Sequence, residues 1–222
     1  MIPTLLILKW AHIIAMVYWL GGEWGVFQTS YHVTNPRLSL DERRRHMETA
    51  YRIDILARLG IILLLPIGLH MGYLWGTQPL GGGWLVLMWI LTAGWVGLAL
   101  AAFVKRGTDA GLRLTLWDDR IRYVLIPALA GIATWSLLTD FPFPQNWYAA
   151  KVLIYSGLLV IGLILRFVMR HWTLTFRQLA AGGPNPELEA KLTRQINYSR
   201  KLAYIYWIGI GTVAFIGVTK FF

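Results

Sequence analysis

Six stretches of the chain stay apolar long enough to cross a bilayer, and the polar residues collect between them. A helix needs about 20 mostly apolar residues to span the hydrocarbon layer. The pattern predicts spanning helices over residues 3–29, 54–75, 83–104, 121–138, 147–169 and 202–219. The fourth is the shortest, with Pro127 inside it and Asp140 at its close. The first lacks a basic leader and a small-residue cleavage site, so it reads as a retained helix. No repeat or long linker breaks the pattern. Residues 1–222 therefore read as a single integral membrane domain of all-α class, a polytopic bundle of six transmembrane helices.

Helical punctuation continues into the polar connections. Ser39 precedes Glu42 at capping-box spacing. The pair Gly182 and Gly183 ends one helix, and Asn185 caps the next, with Pro186 as its first residue. The second and sixth helices are thus expected to run on past the membrane as helical cytoplasmic extensions.

Charge sets the orientation. Arg37, Arg43, Arg44, Arg45 and Arg52 fall in the first connection, Lys105, Arg106, Arg113, Arg120 and Arg122 in the third. The fifth holds Arg170, Arg177, Lys191, Arg194, Arg200 and Lys201, while "GTQPLGG" and "TDFPFPQN" hold no Lys or Arg. The positive-inside rule then places the basic connections in the cytoplasm and both termini outside, as expected in a bacterial-type inner membrane. An even number of spans agrees.

Composition sharpens this. The chain is 56% hydrophobic and 14% charged, with twelve tryptophans. A net charge of +10 would suggest nucleic acid in a soluble protein, but here the basic residues are mainly topological, and no nucleic-acid role is expected. The absence of cysteine excludes disulfides, thiolate metal sites and cysteine nucleophiles.

Ionisable residues inside spans are the candidates for chemistry. Of five histidines, only His12 and His70 lie well inside predicted spans. Counted from the outer ends at 1.5 Å per residue, His12 is about 12 Å deep and His70 about 9 Å. Similar depth in consecutive antiparallel helices suits one metal held by both, and a haem iron with two axial histidines is such a centre. The competing reading makes each histidine an interhelical hydrogen-bonding residue. Lys9, one turn outward from His12, and Lys151, about one turn into the fifth helix, suit the carboxylates of a bound cofactor, or else snorkel to headgroups.

Glu23 returns to within about 20° of the face of His12. Arg58 lies at matching depth. The pair is either part of a proton route with a catalytic role or a structural clasp between helices. Arg166 reads as a snorkelling residue. His32, His46 and His171 sit at the cytoplasmic ends, as solvated residues or a second metal centre. Trp75, Trp84, Trp147 and Tyr148 suit an interfacial aromatic belt, and Gly68, Gly72, Gly157 and Gly162 suit close helix approach. Met71 and Met88 are the nearest approach to a soft-ligand pair.

The series Lys9, His12, Trp19, Gly21, Gly22, Tyr31 and His32 resembles the opening helix of HemJ-type membrane protoporphyrinogen oxidases and the related CopD-like membrane domains. "RLGIILLLPIGL" and "WYAAKVLIYSGLLV" are similar to later helices of that group, with Pro66 and Lys151 at matching places. The resemblance implies haem at His12, with Lys9 and Lys151 as functional cations. It departs in two ways: HemJ-like chains usually have fewer helices, and a histidine expected after Lys151 is missing from "LLVIGLI". His70 is the expected substitute.

The expected function is that of a haem b-binding, b-type cytochrome-like redox protein. It would transfer electrons or oxidise a small membrane-associated substrate such as a porphyrinogen or quinol. One haem b is expected, with a second open. Copper or small-solute transport of the CopD-like type and a non-catalytic accessory role remain alternatives. Expected partners are lipids, a quinone, a porphyrin or a redox partner, and a second copy in a homodimer.

Overall fold

A computed structural model describes residues 2–183 and 185–221. It contains α1 (Thr4–Val33), α2 (Leu40–Leu74), α3 (Gly83–Val104), α4 (Asp109–Thr139), α5 (Asn146–Gly182) and α6 (Pro186–Thr219). All six are long and apolar enough to span a membrane, and no strand occurs among the described residues. The chain is a six-helix membrane bundle. Its termini and the α2–α3 and α4–α5 connections share one end, called here the terminal end. The arginine-rich connections form the basic end.

Several helices outrun a bilayer. α2, α5 and α6 have 35, 37 and 34 residues, roughly 50–55 Å each against a hydrocarbon layer of about 30 Å. The extensions of α2 and α6 follow from their caps. Ser39 accepts from the Glu42 backbone N–H, and the Glu42 carboxylate accepts from the Ser39 N–H at 2.9 Å and hydroxyl at 2.8 Å. Those bonds hold the Glu42 carboxyl below its ordinary value. Asn185 accepts from the N–H groups of Glu187 and Leu188, and Pro186 opens α6. α5 also extends, and α4 starts at Asp109, well before position 121, because Thr108 caps it by accepting from Gly111 N–H. Pro127 and Pro66 lie within continuous helices.

Successive helices pack on one another, and α6 returns to α1. α1 meets α2 at backbone distance. A Cβ on Gly60 would stand 2.5 Å from the Ala15 carbonyl oxygen and 2.8 Å from the Trp19 nitrogen, and one on Gly22 would be 2.9 Å from the Ala57 Cβ. Small residues there admit the partner backbone, the usual source of helix association in lipid.

The extensions at the basic end enclose a second core of Val33, Met47, Met169, Trp172, Phe176, Leu192 and Ile196. Arg43, only 2% exposed, ties it together. Its Nε donates to the Val33 carbonyl at 2.8 Å, and its two terminal nitrogens grip Glu189 at 2.7 and 2.8 Å. A residue counted toward topology in the sequence is thus a buried joint between α2 and α6.

Candidate functional site

The terminal half contains a cavity of about 250 Å³ walled by α1, α2, α5 and α6. Lys9, His12 and Met16 reach it from one face of α1 at spacings of three and four residues. α2 presents Gly68 and Met71, α5 presents Tyr148, Lys151 and Tyr155, and α6 presents Ile210 and Gly217. The walls are otherwise aliphatic and aromatic.

His12 packs where α2 lacks a side chain: a Cβ on Gly68 would lie 3.4 Å from its Cε1. His12 Nδ1 is buried and has no hydrogen-bond partner among the described residues. Lys151 extends toward α6, with its Nζ against Gly217. Neither Lys9 nor Lys151 forms an ion pair among the described residues, and Asp140 at the C-cap of α4 is the one acidic side chain described near the terminal end.

Aromatic residues close both ends of the cavity. Trp75 and Trp147 meet edge-on with centroids 6.3 Å apart, and Lys220 Nζ stands 4.2 Å over Trp75 and 5.2 Å over Trp147. Trp147 and Tyr148 are each 6% exposed, so they form wall and roof in place of the expected interfacial belt. Trp84, at 41% exposed, does face outward. At the other end Trp19 Nε1 donates to Tyr206 at 3.1 Å. Tyr148 donates to the Gly68 carbonyl at 3.2 Å and Tyr155 to the Ile61 carbonyl at 2.6 Å, which joins the α2 and α5 walls.

His70 does not line this cavity. Two residues beyond Gly68 it points about 200° around the helix, and its Nδ1 accepts from Trp89 Nε1 of α3 at 3.2 Å. Matched depth put His12 and His70 in one layer, but their faces differ. The neighbouring Met71 enters the cavity instead, together with Met16. Met88 is buried on α3 and does not line it.

The expected Glu23–Arg58 clasp does not form. Arg58 pairs with Asp54, one turn earlier on α2, at 2.5 Å. Glu23, partly buried, makes no ion pair among the described residues. Arg166 does not snorkel: it is 7% exposed and pairs with Asp119 at 2.5 Å and with Asp118. Arg170 holds Asp119 at 2.6 Å, and Trp95 Nε1 donates to Asp118 at 2.5 Å. This network joins α3, α4 and α5.

His32 and His46 stack with centroids 4.2 Å apart, and His171 Nδ1 lies 2.7 Å from the Phe167 carbonyl. No three His, Asp or Glu residues gather as a metal-holding group among the described residues. Gly72 receives Tyr148 and Gly162 receives Tyr206, as close approach requires, whereas Gly157 faces open space.

Lys9, His12 and Lys151 are therefore brought together, and His70, Glu23 and Arg58 lie elsewhere. Met16, Tyr148 and Tyr155 are the members that sequence reasoning missed as site residues, although Met16 follows His12 at helical spacing, and Met71 enters without its expected companion Met88. Compared with family models, curated proteins and solved structures, the chain matches none of the three.

Proposed function

We propose that the cavity binds a haem of the b class with His12 as its protein ligand, and that the chain is a membrane redox protein. The observation that carries this reading is His12 in the wall of an apolar cavity that it shares with two lysines, neither of which has a carboxylate partner among the described residues. The donor set fits the group: a neutral imidazole suits iron, aliphatic and aromatic walls suit a macrocycle, and ammonium groups suit propionates. His70 has no part in this fit. A bound haem would supply one-electron chemistry.

The residues of the chain do the rest. His12 presents a ring nitrogen from a helix whose position is fixed by the Gly60 contact. Lys9 and Lys151 orient carboxylates toward the terminal end, and the Trp75–Trp147 roof keeps water out. In this reading the basic end faces the cytoplasm of a bacterial-type inner membrane. A quinone or porphyrin would exchange electrons at the cavity.

One observation favours a second reading. Met16 and Met71 line the cavity with His12, and two thioethers with an imidazole suit Cu(I). Copper handling of the CopD-like type would use the same walls.

A pyridine haemochrome assay on purified protein separates the two. The wild type and His70→Ala should retain a haem b spectrum, and His12→Ala should lose most of it. Wild type without a Soret band, together with copper retained through His12, would replace the haem reading with the copper one.

A further inference from the structure

We infer that the cavity is entered sideways from the bilayer, between the terminal halves of α1 and α6, by a membrane-dissolved amphiphile bearing carboxylates. The inference rests on the cavity assigned above as the binding site and adds the route and the class of molecule that takes it.

Exposure locates the opening. The exposed lining residues, Lys9, Ile13 and Val218, belong to α1 and α6; Ile13 is 48% and Val218 84% exposed. The lining residues of α2 and α5 are all buried or partly buried. The same two helices are held together elsewhere. In their basic halves Trp24 meets Trp207 at 4.8 Å, Phe27 meets Trp207 at 4.9 Å, and Trp19 bonds Tyr206. No ring contact or hydrogen bond joins α1 to α6 nearer the terminal end among the described residues. Aromatic contacts thus join the pair in its basic half, and the exposed lining residues fall in its terminal half.

The roof excludes the competing route. Trp75 and Trp147, with Lys220 over both, cover the cavity where it faces the terminal end. A path from water would have to displace them, whereas the path from lipid crosses only Ile13 and Val218.

Charge selects the traveller. Lys9 lies on the rim of the opening, and Lys151 lies inside with its Nζ at Gly217, neither with a carboxylate partner among the described residues. An amphiphile whose apolar body stays in lipid depth while its carboxylate passes from Lys9 to Lys151 meets an attractive charge at each step. A neutral lipid meets none.

The chain has no cysteine, so a cross-link can be placed cleanly. Ile13→Cys with Ala214→Cys, joined by a bis-maleimide carrying an internal disulfide, bridges the rim. Haemin dissolved in the lipid of a nanodisc is the probe, and growth of the Soret band is the readout. The cross-linked protein should load at least about tenfold more slowly at an unchanged end point, and cleavage of the linker should restore the rate. Lys9→Gln should slow haemin but not its dimethyl ester. Unchanged loading through the bridged rim would overturn the side entrance while leaving the haem reading intact.

Failure of the wild type to load at all would remove the haem reading, and the entrance would then be read directly. A nitroxide on Met16→Cys should relax chiefly by collision with oxygen dissolved in lipid. Dominant relaxation by a water-soluble nickel chelate would overturn the entrance independently of any cofactor.

Discussion

The two halves of the bundle solve opposite problems with the same helices. The basic half fills its interior with buried ion pairs: Asp118, Asp119, Arg166 and Arg170 neutralise one another, and Arg43 bonds Val33 and Glu189, although Trp172 Nε1 and Gln195 Oε1 stay buried without a hydrogen-bond partner among the described residues. The terminal half keeps a cavity instead, and the two ammonium groups on its lining, those of Lys9 and Lys151, form no ion pair among the described residues. Stability and ligand binding are therefore expected to separate by depth.

Substitutions that break one half should leave the other's property alone. The largest effect belongs to Asp118→Ala, which removes a partner of Arg166 and strands the indole N–H of Trp95. Breaking a buried pair in this way costs about 3–5 kcal/mol, so thermal unfolding in detergent should show most of the stability gone. Recovery in Asp118→Ala with Arg166→Met would sharpen the case for pairing over packing.

An intermediate effect is expected where the halves share a helix contact. Gly60→Ala drives a methyl into the α1 backbone at Ala15 and Trp19, at a cost of about 1–3 kcal/mol for overpacking. Gly157→Ala, which meets nothing within 4 Å, is its control. A lowered Tm in the first and an unchanged one in the second would confirm that the α1–α2 distance is set by glycine.

The smallest effect should come from His12→Ala in cofactor-free protein. Its Nδ1 has no bond to lose and its ring already borders empty space, so stability should change by less than about 1 kcal/mol. A large loss of Tm there would mean that His12 is a structural residue, and the contrast between the halves would collapse.

The helices were legible because span length and caps are local properties. Ser39, Asn185 and the apolar runs act within a few residues of themselves, and all appear where the pattern places them. Partners across helices were not. His70 shares the depth of His12, yet rotation about α2 sends it to Trp89. Arg58 had Asp54 one turn away on its own helix, a nearer partner than Glu23. Arg122 and Arg166 read as boundary charges because Asp118 and Asp119 lie just outside the apolar run of α4, and only the early start of that helix brings them to α5. Testing each candidate against the rotation of its helix would have exposed Met71 as the inward neighbour of His70.

The charges between α4 and α5 also bear on how the protein is made. α4 carries two carboxylates destined for burial; Arg122 of the same helix stands 3.7 Å from Asp118, and Arg166 and Arg170, which complete the neutralisation, belong to a helix translated later. Until α5 emerges, Asp119 has no arginine beside it, and its place just outside the apolar run lets it stay with water or headgroups. The basic end of α4 is therefore fixed only when α5 joins it, and a chain truncated before Arg166 should leave that end loosely held.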